Sequence, residues 1–187
     1  DDLVFSHVAP AHAANVAALA AQYPAMQVVG NAKTVAFLDQ FFGPDFVTAD
    51  RRLTVKEGDT LPLGSHCLTF AFAPMVHWPE VMVSYESSEK VLFSADGFGR
   101  FGAVARFDEK ADWASEARRY YLNIVGKYGP QVQALLKKAA ALDIRTICPL
   151  HGPVLTGDLS RYFELYNTWS SYEAEEPEKI LVASASI

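Results

Sequence analysis

The sequence PMVHWP at residues 74–79 is followed, beyond the next apolar run, by LFSADGFG at residues 92–99. In each segment a side chain that can bind a metal ion, His77 or Asp96, follows a short run typical of a β-strand. The neighbouring prolines restrict the backbone, and the glycines allow it to turn sharply. Because α/β folds gather their sites at the ends of strands, the two segments predict a binding site at one edge of a sheet.

Two other segments place histidines in the same kind of context. They are SHVAPAH at residues 6–12 and PLHGP at residues 149–153. Histidine is the commonest ligand for borderline transition metals, and a carboxylate can bridge two ions through its two oxygens. Each histidine considered alone is explained as simply by a core or surface role, but the joint pattern favours a metal site. We predict five ligands, and no catalytic residues beyond them: His7, His12, His77, Asp96 and His151. The remaining histidine, His66, is expected to be structural or to face solvent.

The hydrophobic pattern predicts an α/β layered fold, because short β-branched or apolar runs alternate with amphipathic or alanine-rich segments. Asn31 is expected to cap the second helix. The predicted strands cover residues 3–6, 27–29, 46–47, 52–55, 67–73, 81–85, 91–94 and 146–148. The predicted helices cover residues 11–21, 31–41, 111–127, 131–142 and 159–172.

Composition limits the classes of protein that this chain can represent. With 187 residues, half of them apolar, it can bury one sizeable core. The net charge of −6 argues against a nucleic-acid partner. Cys67 and Cys148 lack CxxC spacing and are expected to be buried free thiols in a reducing cytoplasm. No apolar run is long enough to span a membrane and no signal peptide is recognisable, so we expect a cytoplasmic protein without a membrane partner.

The last residues, 179–187, read as a charged linker that leads into an apolar strand ending in small residues and serines. Such a strand commonly precedes a loop that cradles a phosphate group. An ordinary C-terminal edge strand explains the same pattern equally well, and the residues alone leave both interpretations open.

At these motifs the chain resembles the metallo-β-lactamase-like core of the flavodiiron proteins, also called A-type flavoproteins. Residues 74–79 are similar to the family's proline, methionine, hydrophobe, His-Trp-Pro block, and residues 92–99 to its Leu-Phe-Ser-x-Asp-x-Phe-Gly block. Residues 162–172 resemble its final helix. The resemblance implies an αββα sandwich, which we expect to be incomplete at the N-terminus. It further implies that residues 1–178 are the C-terminal part of this domain and that residues 179–187 are a linker and the start of a flavodoxin-like FMN domain.

The resemblance also implies a reaction: reduction of oxygen to water, or of nitric oxide to nitrous oxide, at a non-haem iron site fed by FMN. In the family the FMN belongs to the facing subunit of a head-to-tail homodimer, and Trp78 is the residue that we expect between the flavin and the metal. Core packing is an alternative explanation for Trp78. Rubredoxin or a flavin reductase is the expected electron donor.

The chain departs from the family at two ligand positions. The family motif reads His-x-Glu-x-Asp-His, whereas Ala9 and Ala11 replace its two carboxylates here. Only Asp96 remains to offset the charge of two ferrous ions. We therefore expect iron to bind weakly, as a single ion, or not at all.

Three functions remain open at this point. The first is a flavodiiron-type oxidoreductase, and the second is a metal-degenerate member that acts as a dimer partner or scaffold. The third is a metallo-hydrolase of the lactamase superfamily, which is the weakest because Ala11 removes the usual carboxylate beside the nucleophilic water.

Overall fold

The structure is a computed structural model that describes residues 1–103, 113–176 and 178. Within these residues the chain forms a three-stranded sheet and a six-stranded sheet, each covered on its outer face by helices. The predicted linker and start of an FMN domain at residues 179–187 lie outside the described residues. In the described part of the chain, no helix has the length and apolar character needed to cross a bilayer.

The three-stranded sheet is parallel and has the order β1-β2-β3. Its strands are β1 (Asp2–Val4), β2 (Gln27–Gly30) and β3 (Arg52–Thr54). The connections carry the helices α1 (Pro10–Ala13), α2 (Val16–Gln22) and α3 (Ala32–Phe42). Parallel strands need such crossovers, since a tight hairpin can join only antiparallel strands.

The predicted cap of α3 is confirmed. Asn31 Oδ1 accepts hydrogen bonds from the backbone N–H groups of Lys33 and Thr34, both at 3.0 Å. These bonds satisfy two of the donors that the first turn of a helix leaves free. The helix ends at Gly43, whose φ of 90° suits a glycine.

The six-stranded sheet has the order β4-β5-β6-β7-β8-β9 and is antiparallel except between β7 and β8. Its strands are β4 (Thr60–Leu63), β5 (His66–Phe72), β6 (Met82–Glu86), β7 (Val91–Phe93), β8 (Thr146–Cys148) and β9 (Leu155–Thr156). The crossover from β7 to β8 contains α4 (Trp113–Ile124) and α5 (Gly129–Ala139), and α6 (Ser160–Ser170) follows β9.

Buried apolar side chains join each sheet to its own helices. Val28 of β2 packs with Leu38 of α3 on one side of the molecule. On the other side Ile147 of β8 packs with Tyr121 of α4 and Tyr166 of α6. A further cluster lies between the sheets and includes Val29, Phe70 and Met82. The result is the helix–sheet–sheet–helix layering of a metallo-β-lactamase-like fold, as predicted.

Several predicted elements were wrong in detail. Residues 46–47 do not form a strand, because they lie in the turn between α3 and a short 3₁₀ helix at Ala49–Arg51. The helix predicted over 11–21 is two helices, interrupted at 14–15. Strands β4 and β9 were not predicted. Cys67 and Cys148 are free, as expected, but only half-buried.

Candidate metal centre

The structure brings all five predicted ligand side chains together where loops leave the two sheets. His7 follows β1, and His12 lies in α1. His77 lies in the connection from β5 to β6, Asp96 follows β7, and His151 follows β8. Segments from both sheets therefore meet at one place.

Asp96 is the centre of the arrangement. Its Oδ2 lies 3.0 Å from His77 Nε2 and 3.8 Å from His7 Nε2. Its Oδ1 lies 3.4 Å from His12 Nε2 and 3.8 Å from His151 Nε2. Each carboxylate oxygen therefore faces a different pair of imidazoles.

The donor atoms fall into two groups that share Asp96, and within each group they lie within 4.8 Å of one another. The first group is His7, His77 and Asp96, and the second is His12, Asp96 and His151. The first lies deeper, since the side chain of His7 has no exposed area and that of His77 is 22% exposed. In the second group the side chain of His151 is 38% exposed.

The electrostatics of the cluster shift the pKa values of two of its members, Asp96 and His151. Burial opposes ionisation of Asp96, but interactions with His12 and His77 and the charges of the other two imidazoles outweigh it. The pKa of Asp96 is therefore held well below its usual range. Burial also lowers the pKa of His151, against the attraction of Asp96. An ionised carboxylate beside a neutral imidazole is the form that a metal ion requires.

Two buried polar atoms test whether a metal fits the site. Among the described residues, His7 Nε2 and Asp96 Oδ1 have no hydrogen-bond partner, although both are inaccessible to solvent. Buried polar atoms are rarely left without a partner. His7 Nε2 belongs to the first group and Asp96 Oδ1 faces the histidines of the second, and an imidazole nitrogen and a carboxylate oxygen are both suitable donors for a divalent cation. The residues present therefore fit a metal ion, and two histidines with one carboxylate suit non-haem iron.

The replaced carboxylates leave the centre with a single negative charge. Ala9 immediately precedes α1 and Ala11 lies within it, and neither side chain can donate to a metal. Within the described residues, the two groups contain no carboxylate other than Asp96. The donor set therefore suits one divalent ion better than two.

Two residues near the centre were not predicted from the sequence. Glu80 is fully buried, and its Oε1 lies 2.6 Å from His7 Nδ1. Tyr120 of α4 packs beside the ring of His151, with 5.5 Å between the ring centroids. Burial and, next, the charge of Asp96 raise the pKa of Tyr120 far above its ordinary value. The sequence feature that could have indicated Glu80 is its position three residues after His77.

Trp78 lies at the edge of the centre and is half-buried. Its ring centroid is 5.2 Å from that of His7 and 6.1 Å from that of Phe37. A cavity of about 410 Å³ opens beside Trp78 and His77 and is lined by residues from the end of α4 onwards, including Lys127. Trp78 therefore both packs against the core and faces an open space.

His66 is not part of the centre. Its half-exposed side chain pairs with Glu86, with 3.2 Å between Nδ1 and Oε1. The prediction that His66 is structural or faces solvent agrees with this placement.

An αββα sandwich that gathers histidines and a carboxylate at its loop edge defines the metallo-β-lactamase-like class. Residues 1–152 match a family described as ODP family beta lactamase, and the chain belongs to this family. It is 35% identical to a nitric oxide reductase of Moorella thermoacetica over 135 residues, which cover 69% of this chain and 33% of that protein.

Two solved structures share the fold. The flavodiiron protein of Giardia intestinalis has a TM-score of 0.84 and 26% identity, over 92% of this chain and 42% of that one. The rubredoxin oxygen:oxidoreductase of Desulfovibrio gigas has a TM-score of 0.82 and 30% identity, over 91% of this chain and 44% of that one. The chain spans about a third of the length of the curated relatives that it matches, 32%, 30% and 30% in three of them.

Proposed function

We propose that this chain forms the metal-binding core of a flavodiiron-type oxidoreductase, which reduces oxygen to water or nitric oxide to nitrous oxide at non-haem iron fed by FMN. The observation that carries the proposal is the convergence of four imidazoles on the buried carboxylate of Asp96. Two relatives, a nitric oxide reductase and a rubredoxin oxygen:oxidoreductase, support this reaction class.

The proposed iron ligands are the five clustered side chains: His7, His77 and Asp96 at the first position, and His12 and His151 with Asp96 at the second. When bound, iron supplies redox chemistry and open coordination positions for a small ligand. The first position is the deeper one, and the single negative charge of Asp96 offsets only part of the charge of one divalent ion. We therefore expect the first position to bind iron more tightly.

Tyr120 can hold a proton beside the metal. Its raised pKa, caused by burial and by the charge of Asp96, keeps the phenol protonated at neutral pH. A hydroxyl that stays protonated is available to donate a hydrogen bond to a small ligand, whereas its raised pKa makes it a weak proton donor.

The cavity beside His77 and Trp78 is our candidate for the approach of the flavin. An aromatic ring and the cation of Lys127 suit a planar, anionic cofactor. The proposal includes a homodimer, in which FMN in the flavodoxin-like domain of the facing subunit reaches this cavity. Residues 1–178 would then belong to the lactamase-like domain and 179–187 to the start of the FMN domain, with rubredoxin or a flavin reductase as the electron donor.

The test is iron-dependent turnover. Protein loaded anaerobically with ferrous iron should consume oxygen or nitric oxide when reduced FMN is supplied. Replacement Asp96→Asn should abolish both iron binding and turnover, because Asp96 belongs to both positions. Replacement Glu86→Gln, a buried carboxylate outside the two groups, is the control. Turnover that persists in Asp96→Asn would overturn the proposal.

Ala9 and Ala11 favour a second candidate, a metal-degenerate family member that acts as a dimer partner or scaffold. This function predicts a stable dimer whose metal content, after growth with excess iron, equals that of Asp96→Asn. Elemental analysis together with light scattering distinguishes the two candidates.

A further inference from the structure

Glu80 is a fully buried carboxylate placed next to a predicted metal ligand. Its side chain has no exposed area, and its Oε1 lies 2.6 Å from His7 Nδ1. The same oxygen accepts a hydrogen bond from the backbone N–H of Val8, at 3.0 Å. Burial of a carboxylate is costly and is uncommon without a specific partner. Glu80 and His7 are 73 residues apart in the sequence, so the fold alone brings them together.

Glu80 is held at its backbone as well as at its side chain. Asn31 Nδ2 donates to the carbonyl oxygen of Glu80 at 2.6 Å, while Asn31 Oδ1 caps α3. Among the described residues the second carboxylate oxygen, Oε2, is buried without a hydrogen-bond partner. An unsatisfied buried oxygen destabilises the fold. The contacts of the carboxylate with His7 and with the backbone of Val8 are the features that account for a buried acidic side chain here.

The protonation pattern follows from the donors and acceptors. Glu80 Oε1 already accepts a hydrogen bond from the backbone N–H of Val8, and it acts as an acceptor towards His7 Nδ1 as well. The shared proton therefore belongs to His7 Nδ1. In a neutral imidazole with a proton on Nδ1, the lone pair is on Nε2. That nitrogen faces Asp96.

We propose that Glu80 is a positioning residue of the metal centre, which fixes His7 in the tautomer that carries the proton on Nδ1 and directs the lone pair of Nε2 at the first metal position. The inference rests on the metal centre proposed above. Without Glu80, His7 can carry its proton on Nε2, the nitrogen that faces Asp96, and this tautomer cannot bind a metal through Nε2. Such partners orient and strengthen metal-binding histidines in general.

The experiment measures the tautomer and the metal affinity separately. Histidine ¹⁵N chemical shifts are recorded on the metal-free protein, and Co²⁺ binding is followed by its visible d–d absorption. The variants are Glu80→Leu, which removes the acceptor, Glu80→Gln, which keeps an acceptor oxygen without the charge, and Glu86→Gln as the control. Glu86 is also a buried carboxylate, which accepts from Ser88 and Glu89 and pairs with His66, a histidine outside the metal centre.

In the unsubstituted protein and in Glu86→Gln we expect His7 to be protonated on Nδ1 only. Glu80→Leu should shift His7 towards the Nε2-protonated tautomer, weaken Co²⁺ binding about 10–100-fold and change the d–d spectrum. Glu80→Gln should keep the tautomer and bind several-fold more weakly, because the neutral amide polarises His7 less.

The possible outcomes test the metal centre and the role of Glu80 separately. If the unsubstituted protein binds no Co²⁺, the proposed metal centre fails, and the tautomer shift still decides the role of Glu80. An unchanged tautomer and unchanged Co²⁺ affinity in Glu80→Leu would overturn the inference. If Glu80→Leu does not fold, the Co²⁺ affinity of Glu80→Gln decides whether Glu80 positions His7. A Co²⁺ affinity equal to that of the unsubstituted protein would then overturn the inference.

Discussion

At Asp96, one carboxylate serves two groups of imidazoles, and this sharing limits the centre. Each oxygen faces two histidines, so binding of an ion in either group uses the same negative charge. A second divalent ion would therefore meet a centre that already carries a net positive charge. Additional carboxylates are the direct way to relieve this limit.

The double replacement Ala9→Glu and Ala11→Asp is expected to raise metal occupancy. Each carboxylate adds a negative charge and an oxygen ligand, and loss of ligand support elsewhere costs about 10–100-fold in affinity. Ala9 is half-buried and Ala11 is exposed, so the larger side chains need not enter the core. Equilibrium dialysis with ferrous iron or zinc measures the gain.

The matched control for this prediction is Ala9→Gln with Ala11→Asn, which adds nearly the same volume without charge. It should bind no more metal than the unsubstituted protein. Two tightly bound ions per chain before any substitution would show that other ligands replace the lost carboxylates, and the expectation of a weak or mononuclear site would be wrong.

Glu86 makes a pH-dependent contribution to stability. The backbone N–H of Glu89, at 2.6 Å, and that of Ser88 lower the pKa of Glu86 from 4.5 to about 2, against the effect of burial. A carboxyl group whose pKa is lower in the folded than in the unfolded state stabilises the fold fully above pH 4.5. This stabilisation is lost as the pH falls towards 2.

Replacement Glu86→Gln should therefore reduce stability at pH 6 and have a smaller effect near pH 2. Urea unfolding of both proteins from pH 6 to pH 2 measures the difference. Parallel curves, with the same loss of stability at every pH, would show that Glu86 does not titrate as the geometry indicates.

Among the helices, α3 depends on a side-chain cap, whereas α2 does not. Replacement Asn31→Ala removes the cap, which costs about 1 kcal/mol. It also removes the donor to the buried carbonyl oxygen of Glu80, at a cost of about 1–3 kcal/mol. Asn15 occupies the corresponding position of α2 but makes no capping bond through its side chain.

We therefore expect Asn31→Ala to lower the free energy of unfolding by about 2–3 kcal/mol. Asn15→Ala should change it by less than about 0.5 kcal/mol. Chemical denaturation of the two variants tests the difference, and similar losses would contradict the assignment of the cap.

Packing of α5 against the end of α6 requires a glycine. A Cβ atom on Gly129 would lie 2.4 Å from the carbonyl oxygen of Ser170 and 2.7 Å from Tyr172 Cζ. At Gly126 the nearest atom would be at 3.5 Å, which is an ordinary contact. Gly129→Ala should therefore destabilise the protein by about 1–3 kcal/mol, whereas Gly126→Ala should be neutral or slightly stabilising. Thermal unfolding measures both, and equal midpoints would refute the prediction.

Local signals explain which elements could be predicted. Asn31 and Gly43 mark both ends of α3, and these signals act within a few residues of the chain. Strand β4 was missed because it contains Pro62 and alternates weakly, yet proline is acceptable there since β4 is an edge strand. At residues 46–47 the apolar pair packs into the core from a turn, so burial was mistaken for a strand.

Local signals also explain which residues of the site could be predicted from the sequence. Each of the five clustered side chains lies in a short segment with its own proline or glycine punctuation, and the sequence therefore marks it. Glu80 directly follows Pro79, but no local signal marks it as a partner of His7, because that contact joins residues 73 positions apart. The contact between Tyr120 and His151 likewise exists only after α4 has packed against the sheet.

On the scale of the whole molecule, the proposed metal centre joins segments of the two sheets. His7 follows β1 of the three-stranded sheet, whereas Asp96 and His151 follow β7 and β8 of the six-stranded sheet. An ion that binds only the folded chain stabilises it by about 2.7 kcal/mol at 100 times its dissociation constant. Zinc at that concentration should therefore raise the free energy of unfolding by this amount, and Asp96→Asn should remove the effect.

The zinc-induced stabilisation that each histidine variant retains identifies which of the two metal positions is occupied. Because the first group is deeper and its His7 is fixed by Glu80, we expect His77→Ala to abolish most of the zinc-induced stabilisation. His151→Ala should retain most of it, since this side chain belongs to the more exposed group. Urea unfolding with and without zinc measures both variants. A larger loss in His151→Ala would assign the ion to the second position, and equal losses would indicate that the two positions are filled together.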